Sequence, residues 1–230
     1  MKLDVIILAG GLGTRLASVV SDVPKPMAPV AGQPFLEQIL KHLPKDHIRK
    51  IILAVGYKYE KIEEHYGKSY LGIPLEYSIE KEPLGTGGGI GLALAKTTAD
   101  QILILNGDTY FDVNIEEMLQ IHNDTNALLT LALKQIASPD RYGTVLLQDH
   151  SIVRFQEKQE GLSTGLINGG VYLASKSLIV HLPQKDKYSF ETAVLEAKVS
   201  TGLLKGYISQ GLFIDIGIPQ DYERAQTIFA

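Results

Sequence analysis

The chain of 230 residues contains no cysteine. That excludes a disulfide framework, thiolate catalysis and a cysteine-ligated zinc centre. Charge of one sign is not in excess either. With 22 Lys+Arg against 26 Asp+Glu the net charge is −4, and the basic surface of a general nucleic-acid binder is missing. No apolar run approaches the roughly 20 residues needed to span a bilayer; Val5–Ala9 and Ile51–Val55 are typical of the longest. The N-terminus lacks the pattern of a secretory leader, because Asp4 interrupts its apolar stretch and Gly10, Gly11 and Arg15 follow. These features lead us to expect a cytoplasmic protein with no membrane or nucleic-acid partner. Internal repeats, low-complexity tracts and Pro- or Ser-rich linkers are also missing.

What is present is an ordinary globular composition, 45% hydrophobic and 21% charged. The length fits one large domain, read here as a single unit over residues 1–230 with halves at about 1–125 and 126–230. The first half alternates apolar runs with helical patterns. Strands are expected at Leu3–Leu8, Lys50–Val55, Leu75–Ile79 and Gln101–Asn106. Helices are expected at Phe35–Leu43, Lys58–Tyr66, Gly89–Lys96 and from an Asn114 cap to His122. Strands apolar on both faces predict an α/β fold with a mostly parallel sheet covered on both sides. The second half is β-rich at Ala127–Lys134, Thr144–Gln148, Ile152–Gln156 and Gly170–Leu173, with a turn at Asp149-His150. Helices follow at Phe190–Lys198, capped by Ser189, and from Pro219 to Thr227. In such sheets ligands bind beyond the carboxyl ends of the strands.

The 22 glycines exceed the average share of about 7%, and several cluster. Leu8-Ala9-Gly10-Gly11-Leu12-Gly13-Thr14-Arg15-Leu16 follows the first strand. Its glycines allow backbone N–H groups to face an anion, and Arg15 adds a cationic fork. It is not a P-loop, lacking Gly-Lys-Ser/Thr, and Leu16 stands where a dinucleotide fingerprint needs a third small residue. Lys25 sits between Pro24 and Pro26, which restrict the backbone around it. Read alone, these two features are also compatible with a tight turn and a rigid exposed loop.

Together with five further motifs they resemble the sugar-1-phosphate nucleotidyltransferases. Glu82-Pro83-Leu84-Gly85-Thr86-Gly87-Gly88 is similar to that family's base- and ribose-binding loop, and Asn106-Gly107-Asp108 to its metal-binding strand end. Phe155-x-Glu157-Lys158 is similar to its sugar-phosphate motif, and Asn168-Gly169-Gly170-Val171-Tyr172 to its sugar loop. Asp215-x-Gly217-x-Pro219-x-Asp221-Tyr222 is similar to its C-terminal motif. The stretches Ser21–Phe35, Tyr77–Pro83, Arg141–Val145 and Gly165–Gly170 are most similar to the subgroup that guanylylates a D-glycero-D-manno-heptose 1-phosphate.

The resemblance implies a Rossmann-like nucleotidyltransferase (GT-A-like) fold whose first half binds nucleotide and whose second binds sugar phosphate. It implies Mg²⁺ as cofactor, and GTP and a sugar 1-phosphate, heptose by the subgroup, as partners. A sugar-phosphate oxygen attacks the α-phosphorus of the nucleotide and pyrophosphate leaves. A phosphate monoester is already anionic at pH 7, so no general base is needed. The six histidines (42, 47, 65, 122, 150 and 181) are expendable for chemistry. The implied nucleotide set is Leu8, Ala9, Gly10, Gly11, Gly13, Thr14, Arg15, Lys25, Glu80, Gly85, Thr86 and Asp108, with Arg15, Lys25 and Asp108 catalytic. Asn106, Gly143, Glu157, Lys158, Asn168 and Gly170 form the sugar-phosphate set, and Asp108 and Asp215 the metal pair.

The resemblance places Glu80 at the base-reading position, with Glu82 as second choice. One carboxylate can accept both N1–H and N2–H of guanine. Mannose 1-phosphate as substrate, another nucleotide, a nucleotide-sugar glycosyltransferase and a non-catalytic sensor stay as alternatives. Oligomeric state is open, a homo-oligomer included. Asn168-Gly169 also reads as a plain hairpin turn, and Asp108 as a turn residue after glycine.

Overall fold

A computed structural model describes residues 2–11, 16, 19–20 and 22–230. Fourteen strands are described: β1 Leu3–Leu8, β2 Pro29–Val30, β3 Gln33–Pro34, β4 Ile48–Val55, β5 Ser69–Tyr70, β6 Ile73–Ile79, β7 Gln101–Asn106, β8 Thr109–Phe111, β9 Leu129–Ala137, β10 Thr144–Gln148, β11 Ser151–Gln156, β12 Thr164–Ser175, β13 Leu204–Ser209 and β14 Phe213–Asp215. The α-helices are α1 Phe35–His42, α2 Tyr59–Tyr66, α3 Gly85–Leu94, α4 Ile115–Asp124 and α5 Pro219–Ile228.

Ten strands form one sheet in the order β10-β11-β13-β9-β12-β7-β1-β4-β6-β5. Its centre, β6-β4-β1-β7, is parallel throughout. Alternate residues of these strands face opposite layers. Val5, Ile7, Ile51, Leu53 and Leu103 pack towards α1, α2, α4 and α5, while Ile6, Ile52, Ile102 and Ile104 pack towards α3 and the helix after Ser189. Burial on both faces is why these segments read as continuous apolar runs.

Asp4 is the exception within β1. It is fully buried and accepts hydrogen bonds from Arg49 Nε (2.9 Å) and Nη2 (2.8 Å) and from the amides of Thr98 and Ala99. Burial alone would raise its pKa, but these four donors hold the carboxyl below its ordinary value.

The second half joins through β12, antiparallel to both β7 and β9. A single bridge from Thr144 to Ile167 returns β10 to β12, so the outer strands curl into an open trough. Strands β2, β3, β5, β8, β13 and β14 are not among the elements expected from the sequence, and three of the expected elements differ in ways that bear on the site. The strand expected at Gly170–Leu173 spans Thr164–Ser175 and runs through Asn168-Gly169 as a bulge, which removes the hairpin-turn alternative. Gly170, at φ +72°, gives the positive dihedral the bulge needs. Helix α3 begins at Gly85, not Gly89, because Gly87 and Gly88 must pass directly against Tyr188 and Asp186. Within the helix expected at Phe190–Lys198, residues Glu191–Glu196 are wound as a π-helix. Among the described residues no helix is long and apolar enough to cross a membrane.

Candidate active site

The carboxyl ends of β1, β4, β6 and β7 converge on a cavity of about 460 Å³. Leu8, Gly10 and Gly11 border it from β1, Glu80 from β6, and Asn106 and Asp108 from β7. Gly85 and Thr86 close it from the start of α3. Close backbone approach explains some of the glycines. A Cβ on Gly107 would lie 2.5 Å from the Leu8 carbonyl oxygen, which accepts a hydrogen bond from Gly107 N at 2.9 Å. The Ala9 side chain is buried and its amide is committed to Ala54 O at 2.7 Å, so that amide is not offered to a ligand. Gly13, Thr14 and Arg15, expected on the nucleotide phosphates, lie outside the described residues.

Lys25 enters the cavity from a short 3₁₀ turn, Lys25–Met27, preceded by Pro24 in an extended conformation and anchored by buried Pro26 and Met27. Its Nζ lies 2.6 Å from Asp108 Oδ2 and 3.9 Å from Asp215 Oδ1. The two acids meet because β14 pairs with β8, setting Asp215 opposite Thr109, while Ile216 N donates to Asp108 O at 3.0 Å. Thr109 Oγ1 donates to Asp108 Oδ1 (3.3 Å) and Gly217 N to Asp215 Oδ1 (2.7 Å). An ammonium already shared by two carboxylates marks a place where positive charge is stabilised. Two carboxylates with open space for phosphate oxygens is a donor set that suits a hard divalent cation. The residues present therefore fit a metal, which Asp108 and Asp215 would hold.

Glu80 occupies the opposite wall. Its Oε2 accepts from Leu84 N at 3.0 Å, while Oε1 faces Gly10 and Gly89, where Cβ atoms would lie 3.2 and 2.6 Å away. Burial raises the carboxyl pKa, and the Leu84 amide offsets only part of that rise. Glu82 is exposed and does not border the cavity.

A second cavity, of about 810 Å³, lies in the trough of the second half. It gathers Gly143, Glu157, Lys158 and Asn168 of the sugar-phosphate set. Asn106 belongs to the first cavity instead, and Gly170 is buried against the Asn106 amide, bordering neither. Asn168 is held in place: its Nδ2 donates to the Tyr172 hydroxyl (2.8 Å) and its Oδ1 accepts from Gly170 N (3.1 Å).

The two cavities are joined by a staple between distant segments. Tyr188 N donates to Leu84 O and Gly87 N to Tyr188 O, both at 3.0 Å, and Phe190 N donates to Thr86 Oγ1 at 2.9 Å. The sequence reading assigns this 186–191 segment no part in the site, only a helix start at Phe190 with Ser189 as its cap. Its one signal was the run of glycines at 85, 87 and 88, which demands a close neighbour.

The sequence matches the nucleotidyl transferase family over residues 4–230. It is 49% identical over 224 residues to a D-glycero-alpha-D-manno-heptose 1-phosphate guanylyltransferase of Aneurinibacillus thermoaerophilus, with 97% of each chain covered. It is 44% identical over 220 residues to the protein of the same name from Campylobacter jejuni, covering 96% of this chain and 97% of that one. The fold aligns with the crystal structure of HddC from Yersinia pseudotuberculosis complexed with GMP-PN. The TM-score is 0.87 at 38% identity, over 99% of this chain and all of the other.

Proposed function

The chain belongs to the nucleotidyl transferase family, and from that premise we propose that it transfers a guanylyl group from GTP to D-glycero-alpha-D-manno-heptose 1-phosphate. The products are GDP-heptose and pyrophosphate. The observation that carries this reading is the Lys25 ammonium between Asp108 and Asp215, in the same cavity as the Glu80 carboxylate. The cluster supplies charge for phosphates; Glu80 supplies an acceptor for the paired N–H donors of guanine.

An oxygen of the sugar phosphate forms a bond to the α-phosphorus, and the bond from that phosphorus to the bridging oxygen of pyrophosphate breaks. No proton has to be removed from the nucleophile. The protein's task is to bring two anions into line and to offset the charge that grows on the leaving group, so positioning and preorganised electrostatics dominate. Lys25 meets the α-phosphate and its developing charge. Lys158, in the neighbouring cavity, meets the sugar phosphate. Glu157, Asn168 and the backbone at Gly143 hold sugar hydroxyls, and the Gly10 and Gly11 backbone borders the triphosphate. A divalent metal is general to the family; here Asp108 and Asp215 would hold it, and we propose Mg²⁺. When bound, it neutralises nucleotide phosphate oxygens that Lys25 alone could not.

A pyrophosphate-release screen tests the reading, with heptose, mannose and glucose 1-phosphates against GTP, ATP, UTP and dTTP. The heptose sugar with GTP should give a kcat/KM at least tenfold above every other pair. A preference for a pyrimidine nucleotide would overturn the base assignment, and a preference for mannose 1-phosphate the sugar assignment.

A further inference from the structure

The second cavity contains a carboxylate to which neither the sequence motifs nor the reaction above gives a task. Glu191 borders it from the first turn of the π-helix, beside Leu195 and Glu196. A π-helical turn pairs residues five apart, is rare, and recurs at functional sites. The same carboxylate marks the junction between the cavities. Its Oε2 accepts from Thr86 Oγ1 and from Ser189 Oγ, each at 2.9 Å, and Thr86 borders the nucleotide cavity. On the sugar side, Glu191 lies near enough to the buried Tyr172 hydroxyl to help raise its pKa, after burial itself, and that hydroxyl contacts Asn168.

Two hydroxyl donors therefore fix Oε2, while Oε1 accepts no hydrogen bond among the described residues. An ionised carboxylate can only accept. Beside the phosphate of the substrate it would repel, so its counterpart must be the hydroxyl-bearing part of the sugar. A fixed carboxylate accepting from a hydroxyl forms a short, charge-assisted bond with little to reorganise.

We propose that Glu191 is a specificity-determining residue of the sugar site, its Oε1 accepting a hydrogen bond from a hydroxyl of the sugar 1-phosphate while Thr86 and Ser189 hold its Oε2. This rests on the sugar-1-phosphate reading of the second cavity.

Calorimetric binding separates the two. Heptose 1-phosphate and its monodeoxy analogues are titrated into the full chain and into Glu191→Gln, in the presence of a non-hydrolysable GTP analogue; affinity for that analogue is measured alone. Glu191→Gln should weaken the sugar phosphate about tenfold or more and leave the GTP analogue within twofold. One deoxy analogue should bind the wild-type protein weakly yet show no further loss in Glu191→Gln, identifying the hydroxyl that is read. Ser189→Ala, which removes one of the two positioning donors, should give a smaller loss and serves if Glu191→Gln does not fold. Unchanged sugar affinity, a parallel loss of both ligands, or no analogue coupled to the substitution would overturn the proposal. If sugar phosphate binds as described but no pyrophosphate is released on turnover, the guanylyltransferase reading fails and the Glu191 assignment stands.

Discussion

Lys25 Nζ and Asp108 Oδ2 lie 2.6 Å apart although 83 positions separate them in sequence. Lys25 exposes only 10% of its side chain, and proline on either side limits its freedom. An ammonium fixed in this way costs little reorganisation when charge develops beside it. Lys25→Ala should therefore lower kcat by about 10²–10³, with the KM for GTP rising less than tenfold. Steady-state pyrophosphate release at saturating sugar phosphate measures both. An unchanged kcat would remove Lys25 from the transition state.

Asp108 and Asp215 carry the expected metal dependence. Removing divalent cations with a chelator should abolish turnover, and Mg²⁺ should restore it. Asp108→Asn keeps the shape of the side chain but halves the carboxylate charge of the pair. The Mg²⁺ concentration giving half-maximal rate should rise by about tenfold or more. Asp215→Asn should act in the same direction. An activation curve that coincides with wild type would show that the metal is held elsewhere.

The strands that carry the cavity could be read at Leu3–Leu8, Lys50–Val55 and Gln101–Asn106, because burial on both faces leaves apolar runs whose interiors are interrupted only by Asp4. The loops at their ends were equally plain, since glycines fall just beyond β1 and Asp108 just beyond β7, as Glu80 does beyond β6. The pairing of β8 with β14 could not be read. Each is three residues long, too short for a periodic pattern, and only their ladder explains why Asp108 and Asp215 share one ammonium. Asn168-Gly169 suggested a turn because Asn-Gly favours one locally; pairing of Asn168 with Leu133 of β9 and of Ile167 with Thr144 of β10 keeps the segment in the strand instead. The π-helical register of Glu191 has no sequence marker, and the partner that ties down its first residues, Thr86, lies more than 100 positions away in the chain.

Glu80 gives a pH-dependent prediction. Burial raises its carboxyl above the ordinary value of 4.5. Guanine recognition needs the ionised form, so affinity falls as pH drops through this raised value, sooner than for an exposed carboxylate. The sign for stability is opposite: ionised Glu80 is the costly form, and protonating it relieves that cost. GTP affinity of the wild type should decline on acidification, and Glu80→Gln should lose the part due to this group. The same substitution should cut the preference for GTP over UTP by about tenfold or more. Gly89→Ala offers a steric test, because its Cβ would lie 2.6 Å from Glu80 Oε1; weaker GTP binding with intact sugar-phosphate binding is expected.

His122 provides a separate test of the core, away from the chemistry. It is buried on α4, with Nδ1 at 2.9 Å from Thr130 Oγ1 and Nε2 at 2.9 Å from Ser175 Oγ. Ser175 Oγ donates its own proton to Ala127 O at 2.8 Å. It can then only accept from the imidazole, which places the ring proton on Nε2 and leaves Nδ1 to accept from Thr130. Both contacts are satisfied by the neutral ring, and burial pushes its pKa down from 6.5 to about 4. The unfolded chain binds a proton near 6.5 that the folded protein refuses until about 4, so folding stability should fall as pH drops between these values. The loss from this one group is on the order of 3 kcal/mol. Urea denaturation at pH 7, 6, 5 and 4.5 should show it, and His122→Gln should flatten the slope over that interval while lowering stability at pH 7. A slope unchanged by the substitution would mean that other groups govern the acid limb. Turnover of His122→Gln with saturating substrates at pH 7 should stay close to wild type, because the ring touches neither cavity of the active site.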